Sequence, residues 1–128
     1  MAKVEQLTVP CKNRPGELAR VAKVLGEAKV NIMSCLATTS GDEGAMHLVV
    51  DNVNKAKKAL DAADLSYTEA DALQVELANA PGALGKFAGK LADQGINVTL
   101  GCQTSVKGSR KASVIFVVSD LDKAARIR

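Results

Sequence analysis

Between residues 73 and 77 apolar and polar positions alternate: Leu73, Val75 and Leu77 are separated by Gln74 and Glu76, the period-two signature of a strand with one buried face. Leu7, Val9 and Cys11 hold the matching places earlier in the chain. Past Pro15-Gly16 and Pro81-Gly82 the period lengthens. Leu18, Val21, Ala22 and Leu25, like Leu84, Phe87, Ala88 and Leu91, fall at i, i+3, i+4 and i+7, which predicts two amphipathic helices buried along those residues. Strands are predicted over 30–39 and 96–105, turns over 41–44 and 107–110, and return strands over 46–50 and 114–118. A second helix starts near Asn52, with Val53, Ala56, Leu60 and Ala63 on one face, and residues 66–71 are suited to a closing strand.

The same signals therefore occur twice. Asn13-Arg14-Pro15-Gly16-Glu17-Leu18 returns as Asn79-Ala80-Pro81-Gly82-Ala83-Leu84, and Leu25, Val30 and Asn31 are matched by Leu91, Ile96 and Asn97. Val49-Val50-Asp51 answers to Val117-Val118-Ser119 at a slightly larger offset, so the second hairpin is longer. The order β-α-β-β-α-β in each copy predicts an α+β fold of two tandem ferredoxin-like units, each an antiparallel sheet with its helices on one face. The expected domains are 1–70 and 71–128. The second copy reaches Arg128 inside its second helix and lacks its last strand. An open edge is normally paired or covered, so either another segment fills this gap or the parent protein continues past Arg128.

Composition narrows the function classes. Apolar residues make up 47% and charged residues 24%, enough for a packed core. No apolar run approaches the ~20 residues that cross a bilayer, and the opening residues lack a secretory signal, so a cytoplasmic protein with no membrane partner is expected. Seventeen basic and 14 acidic residues are scattered along the chain, and the aromatics are Tyr67, Phe87 and Phe116, which argues against nucleic acid. Cys11, Cys35 and Cys102 show no Cys-x-x-Cys spacing and read as buried reduced thiols. His47 is the only histidine and has no nucleophile placed by motif beside it. Asp42-Glu43 lies in a turn, and Asp120 and Asp122 lie at a helix start. No catalytic residues, cofactor or metal are expected.

Asn-x-Pro-Gly-x-Leu, an amphipathic helix, and then Val-Asn-Ile or Ile-Asn-Val at a strand start resemble the ACT domain, twice over nearly the whole chain. That resemblance implies a non-enzymatic regulatory module binding an amino acid or related metabolite at interfaces between paired domains. It also implies a homodimer, with a separate biosynthetic enzyme as a possible partner. In serine-sensing members the ligand contacts come from the loop asparagine and the asparagine opening the next strand, here Asn13 and Asn31, then Asn79 and Asn97. Ile32 and Val98 follow those strand asparagines. Cys11 and Leu77 stand where the serine-sensing pattern has histidine, which sets this chain apart from it.

The residues themselves suit such a ligand. One asparagine amide both donates and accepts, as a zwitterion requires, and two converging asparagines would clamp it. Turn formation is the commoner use of a single asparagine, but four at matched positions favour the ligand. Pro15 and Pro81 fit the first helical position, which makes Arg14 and Ala80 the caps. Neither is a preferred cap, so the first-turn N–H groups near Gly16, Glu17 and Leu18, and near Gly82, Ala83 and Leu84, are left for a carboxylate unless Asn13 and Asn79 cap them. Gly85 and Gly89 form a row on a helix, suited to close packing or mere slack. The competing reading is an interaction subunit that docks on an enzyme without a ligand of its own.

Overall fold

A computed structural model describes residues 1–127. The elements are β1 (Ala2–Lys12), α1 (Glu17–Glu27), β2 (Ile32–Ser40), β3 (Glu43–Val50), α2 (Val53–Ala62), β4 (Thr68–Ala78), α3 (Ala83–Asp93), β5 (Val98–Ser105), β6 (Lys111–Val118) and α4 (Leu121–Ala124). Two compact units emerge: Glu5–Ala70, and Met1–Val4 with the chain from Asp71 onward. They are called the N-terminal and C-terminal units below. Each is a βαββαβ-like arrangement of antiparallel strands and helices, as the periodicity indicates. Among the described residues no helix is long and apolar enough to cross a membrane.

In the N-terminal unit the strand order is β2-β3-β1-β4, with β4 contributing residues 68–70. Leu7 pairs across from Leu48 and Val9 from Met46, so these four point to one face. With Val21 and Leu25 of α1 and Ala56 and Leu60 of α2 they form a core that is closed to solvent. On α2, Lys57 forms ion pairs with Glu5 of β1 and Glu69 of β4. The C-terminal unit repeats the plan as β5-β6-β4-β1, built on Leu73 opposite Phe116 and Val75 opposite Val114. Phe87 of α3 stacks on Phe116 with ring centroids 5.6 Å apart. The sheet position on the other side of β4 is taken in this unit by the first residues of β1, and Lys3 pairs there with Asp122 of α4. Arg128, which the sequence places in the second helix, lies outside the described residues.

Several local expectations are corrected. The helices start two residues later than the prolines suggest. Gly16 and Gly82 are the caps, at φ 90° and 85°, with no side-chain cap hydrogen bond, and α1 and α3 begin at Glu17 and Ala83. A left-handed residue is needed to turn the strand into the helix within this space, and glycine adopts it without a Cβ penalty. The later start rotates the buried stripe. In α1 it runs through Glu17, Val21 and Leu25, and Leu18 and Leu84 are 53% and 43% exposed rather than buried. The α1 and α3 ends do correspond: Lys29 takes φ 63° where Gly95 takes φ 69°. Of the cysteines only Cys11 is buried; Cys35 is exposed and Cys102 half-buried, and these two lie on the edge strands β2 and β5.

Cβ atoms built on Gly85 and Gly89 meet nothing within 4 Å, so close packing within the unit does not explain them. Gly85→Ala and Gly89→Ala should each stabilise the fold by up to ~1 kcal/mol. Gly95→Ala, at a left-handed position, should destabilise by about 1–2 kcal/mol. Shifts of the urea midpoint at constant m-value measure both effects.

Candidate functional site

The turn from β1 into α1 is fastened to the β2–β3 hairpin by Asn13. Its backbone N–H donates to the Asp42 carbonyl at 2.9 Å and its Nδ2 to the Gly41 carbonyl at 2.9 Å. In the C-terminal unit the Asn79 N–H donates to Arg110 at 2.9 Å, and its Nδ2 donates to Val106 at 3.2 Å and Ser109 at 2.8 Å. Neither asparagine caps its helix. They act as clamps between loop and hairpin, and Asn79 has both amide hydrogens committed.

Asn31 and Asn97 sit at the other end of their hairpins. The Asn31 N–H donates to Asp51 Oδ1 at 2.9 Å and its carbonyl accepts from the Asp51 N–H; Asn97 makes the same two contacts with Ser119. These bonds use the backbone and fix nothing about the asparagine side chain. Among the described residues the Asn31 amide itself reaches only the Met33 sulfur, at 3.4 Å, and Ile32 and Val98 follow on the strands. Nine strand residues at ~3.3 Å each separate Asn31 from the Asn13 loop by roughly 25–30 Å. Within one unit the expected clamp of Asn13 with Asn31 therefore does not form.

What does gather beside the Pro15-Gly16 turn is a cavity of about 170 Å³ between the start of α1 and the ends of β1, β2 and β3, with Asn13, Arg14, Glu17 and Leu18 on its wall. Cys11, Thr38, Thr39 and Gly44 complete much of the lining, and all four were missed as site residues in the sequence. The hairpin register could have located them, since Cys11 faces Gly44 and Thr38 and Thr39 lie opposite Ala45 and Gly44. Gly44 is fixed sterically. A Cβ there would sit 2.7 Å from the Thr38 carbonyl oxygen and 3.1 Å from that of Cys11.

Glu17 is the charged centre of this wall. Its side chain is only 11% exposed, and its carboxylate accepts from the Lys12 N–H at 3.3 Å and Arg20 Nη2 at 3.2 Å, with Arg14 Nε at 3.5 Å. Burial pushes the carboxyl up, but the Lys12 N–H and the two guanidiniums outweigh it and hold Glu17 below the usual range. Burial, and then the Glu17 charge, pushes the Cys11 thiol up, so it lines the cavity as a neutral group.

Sequence comparison assigns the class: residues 2–127 match the family described as the ACT domain pair, and the chain belongs to that family. Protein BT0572 from Bacteroides thetaiotaomicron has a similar structure, with TM-score 0.90, 26% identity, and 96% of this chain and 84% of that one covered. The regulatory subunit of aspartate kinase from Thermus thermophilus, in its ligand-free form, shares the fold at TM-score 0.69 and 18% identity, covering 98% of this chain and 94% of that one. The regulatory subunit from Thermus flavus does so at 0.65 and 16%, covering 96% and 87%. No curated protein matches the sequence.

Because the folded state holds the Glu17 carboxyl low, its contribution to stability is present at neutral pH, begins to fade near the ordinary value of ~4.3, and is lost as pH falls through the lower folded value. Glu17→Gln should lower the urea midpoint at pH 7 and narrow its gap to wild type below pH 4. Parallel midpoint curves for the two proteins over pH 3–7 would refute this.

Proposed function

We propose that the chain is a non-enzymatic cytoplasmic sensor that binds an amino acid or related metabolite as a homodimer and regulates amino acid metabolism through that binding. The observation that carries this reading is the position of Asn13 and Asn31 at opposite ends of an edge strand that invites a partner. β2 reads Ile-Met-Ser-Cys-Leu-Ala-Thr-Thr-Ser, with no charge and no proline to discourage pairing. Met33 on it is 61% exposed, and Leu18 beside the loop is 53% exposed.

Antiparallel pairing of β2 with β2 of a second copy sets the Asn31 end of one chain against the Asn13 loop of the other, and does so twice about a two-fold axis. Each site then has donors and acceptors from both chains, and the ligand favours the paired state by bridging it. The family and the description of the Thermus proteins as regulatory subunits are in keeping with this reading. The second reading, a subunit docking on a separate biosynthetic enzyme, uses the same uncharged edge.

Screening the twenty amino acids by thermal denaturation should find at least one that stabilises the protein, by about 2.7 kcal/mol at 100 times its Kd. Asn13→Ala and Asn31→Ala should each weaken that ligand roughly tenfold. Met33→Lys, which places a charge on the edge, should shift the mass measured by light scattering from dimer towards monomer and abolish the ligand effect with it. A monomer that binds as well as wild type would sink the shared site, and co-purification of an enzyme without any metabolite effect would select the docking subunit.

A further inference from the structure

The two copies are alike in backbone and unlike in chemistry at the loop. Strand register makes Cys11 opposite Gly44 the counterpart of Leu77 opposite Ala112. The repeat likewise sets Arg14 against Ala80 and Glu17 against Ala83. Every one of these differences removes a polar group or adds carbon in the C-terminal unit. There the Asn79 amide hydrogens are also spent on Val106 and Ser109, whereas among the described residues the Asn13 Nδ2 is bonded to one carbonyl, that of Gly41.

In the N-terminal unit the opposite charges stand together at the cavity but are loosely joined. Arg14 Nε is 3.5 Å from Glu17 and the Arg14 side chain is 66% exposed, while Glu17 is nearly buried and keeps Arg20 whatever Arg14 does. A pair held this loosely in solvent contributes little to stability, so exchanging Arg14 for another partner costs little. A carboxylate entering the cavity offers the Arg14 guanidinium a two-pronged partner, and an ammonium entering with it finds Glu17. A molecule bearing both charges satisfies both residues and leaves neither charge unpaired.

Resting on the sensor reading above, we infer that binding is confined to the N-terminal unit, where Arg14 takes the carboxylate and Glu17 the ammonium of a free α-amino acid. The C-terminal unit, with Leu77, Ala80, Ala83 and Ala112 in these places, keeps the fold without the site. Each chain therefore binds one ligand and a dimer binds two.

The test is isothermal titration of the full-length protein with the amino acid that stabilises it most in the twenty-member screen, alongside its decarboxylated amine and its deaminated acid. The expected result is one ligand per chain, with both analogues at least tenfold weaker than the parent amino acid. Arg14→Ala and Glu17→Ala place in the N-terminal unit what the C-terminal unit already carries, and each should weaken binding at least tenfold. Glu17→Gln, which retains a hydrogen-bond acceptor, is the control should Glu17→Ala not fold, with the same loss expected. Two equal sites per chain, analogues that bind like the amino acid, or Arg14→Ala within twofold of wild type would overturn this inference while leaving the sensor reading intact. No binding by any amino acid would overturn this inference, and the amino-acid form of the sensor reading with it.

Discussion

The strand-to-helix turn after β1 and after β4 is the constraint on which the rest of each unit depends. A left-handed glycine lets the chain leave the sheet and start a helix over it at once, and the asparagine three residues earlier ties that turn to the neighbouring hairpin. Together they set the rotation of the first helix. In α1 that rotation points Glu17, not Leu18, at the protein interior, and a buried carboxylate needs partners. The Lys12 N–H at the end of β1 is one, so the strand end and the helix start are joined by the same side chain. The position of the cavity, the exposure of Leu18 and the charge on the wall all follow from this turn.

Much of the fold is legible because its signals are local and doubled. Alternation at Leu73, Val75 and Leu77 and the helical spacing of Val21, Ala22 and Leu25 each report a single face, and the repeat removes ambiguity from weak segments such as Lys29, which adopts a left-handed conformation because its place in the plan demands one. The helix starts were less legible. Proline at a first helical position and proline followed by a left-handed capping glycine look alike in sequence, and only the three-dimensional turn decides between them. The filling of the sheet position on the other side of β4 in the C-terminal unit by the start of β1 depends on residues more than a hundred positions apart, and no local pattern encodes it.

The candidate site shows the same division. Motif spacing identifies Asn13, Asn31, Asn79 and Asn97 as positions of interest, but spacing along the chain does not say that a nine-residue strand holds Asn13 and Asn31 far apart. Nor does it reveal that Asn13 and Asn79 spend their amides on hairpin carbonyls, whereas the strand asparagines are held through their backbones. A side chain with no structural task at a matched position is the better ligand candidate, which shifts weight from the loop asparagines to the strand asparagines and to the exposed Arg14 beside the loop.

In the proposed reading, placing recognition groups at the two ends of one strand also bears on regulation. A site complete within one unit binds whether or not a partner is present, and its ligand then changes nothing about assembly. When half of the contacts come from another copy, affinity and association are linked: the ligand strengthens the pairing by the same free energy by which pairing strengthens the ligand's binding. β2 supplies the means, because an uncharged edge pairs without desolvating a salt bridge, and the exposed apolar groups Met33 and Leu18 gain burial on pairing. In the proposed arrangement an ACT pair with chemistry at one loop and none at the other obtains a two-fold sensor from the first copy and a scaffold from the second. The divergence between otherwise parallel halves is then what makes the response depend on a single kind of site.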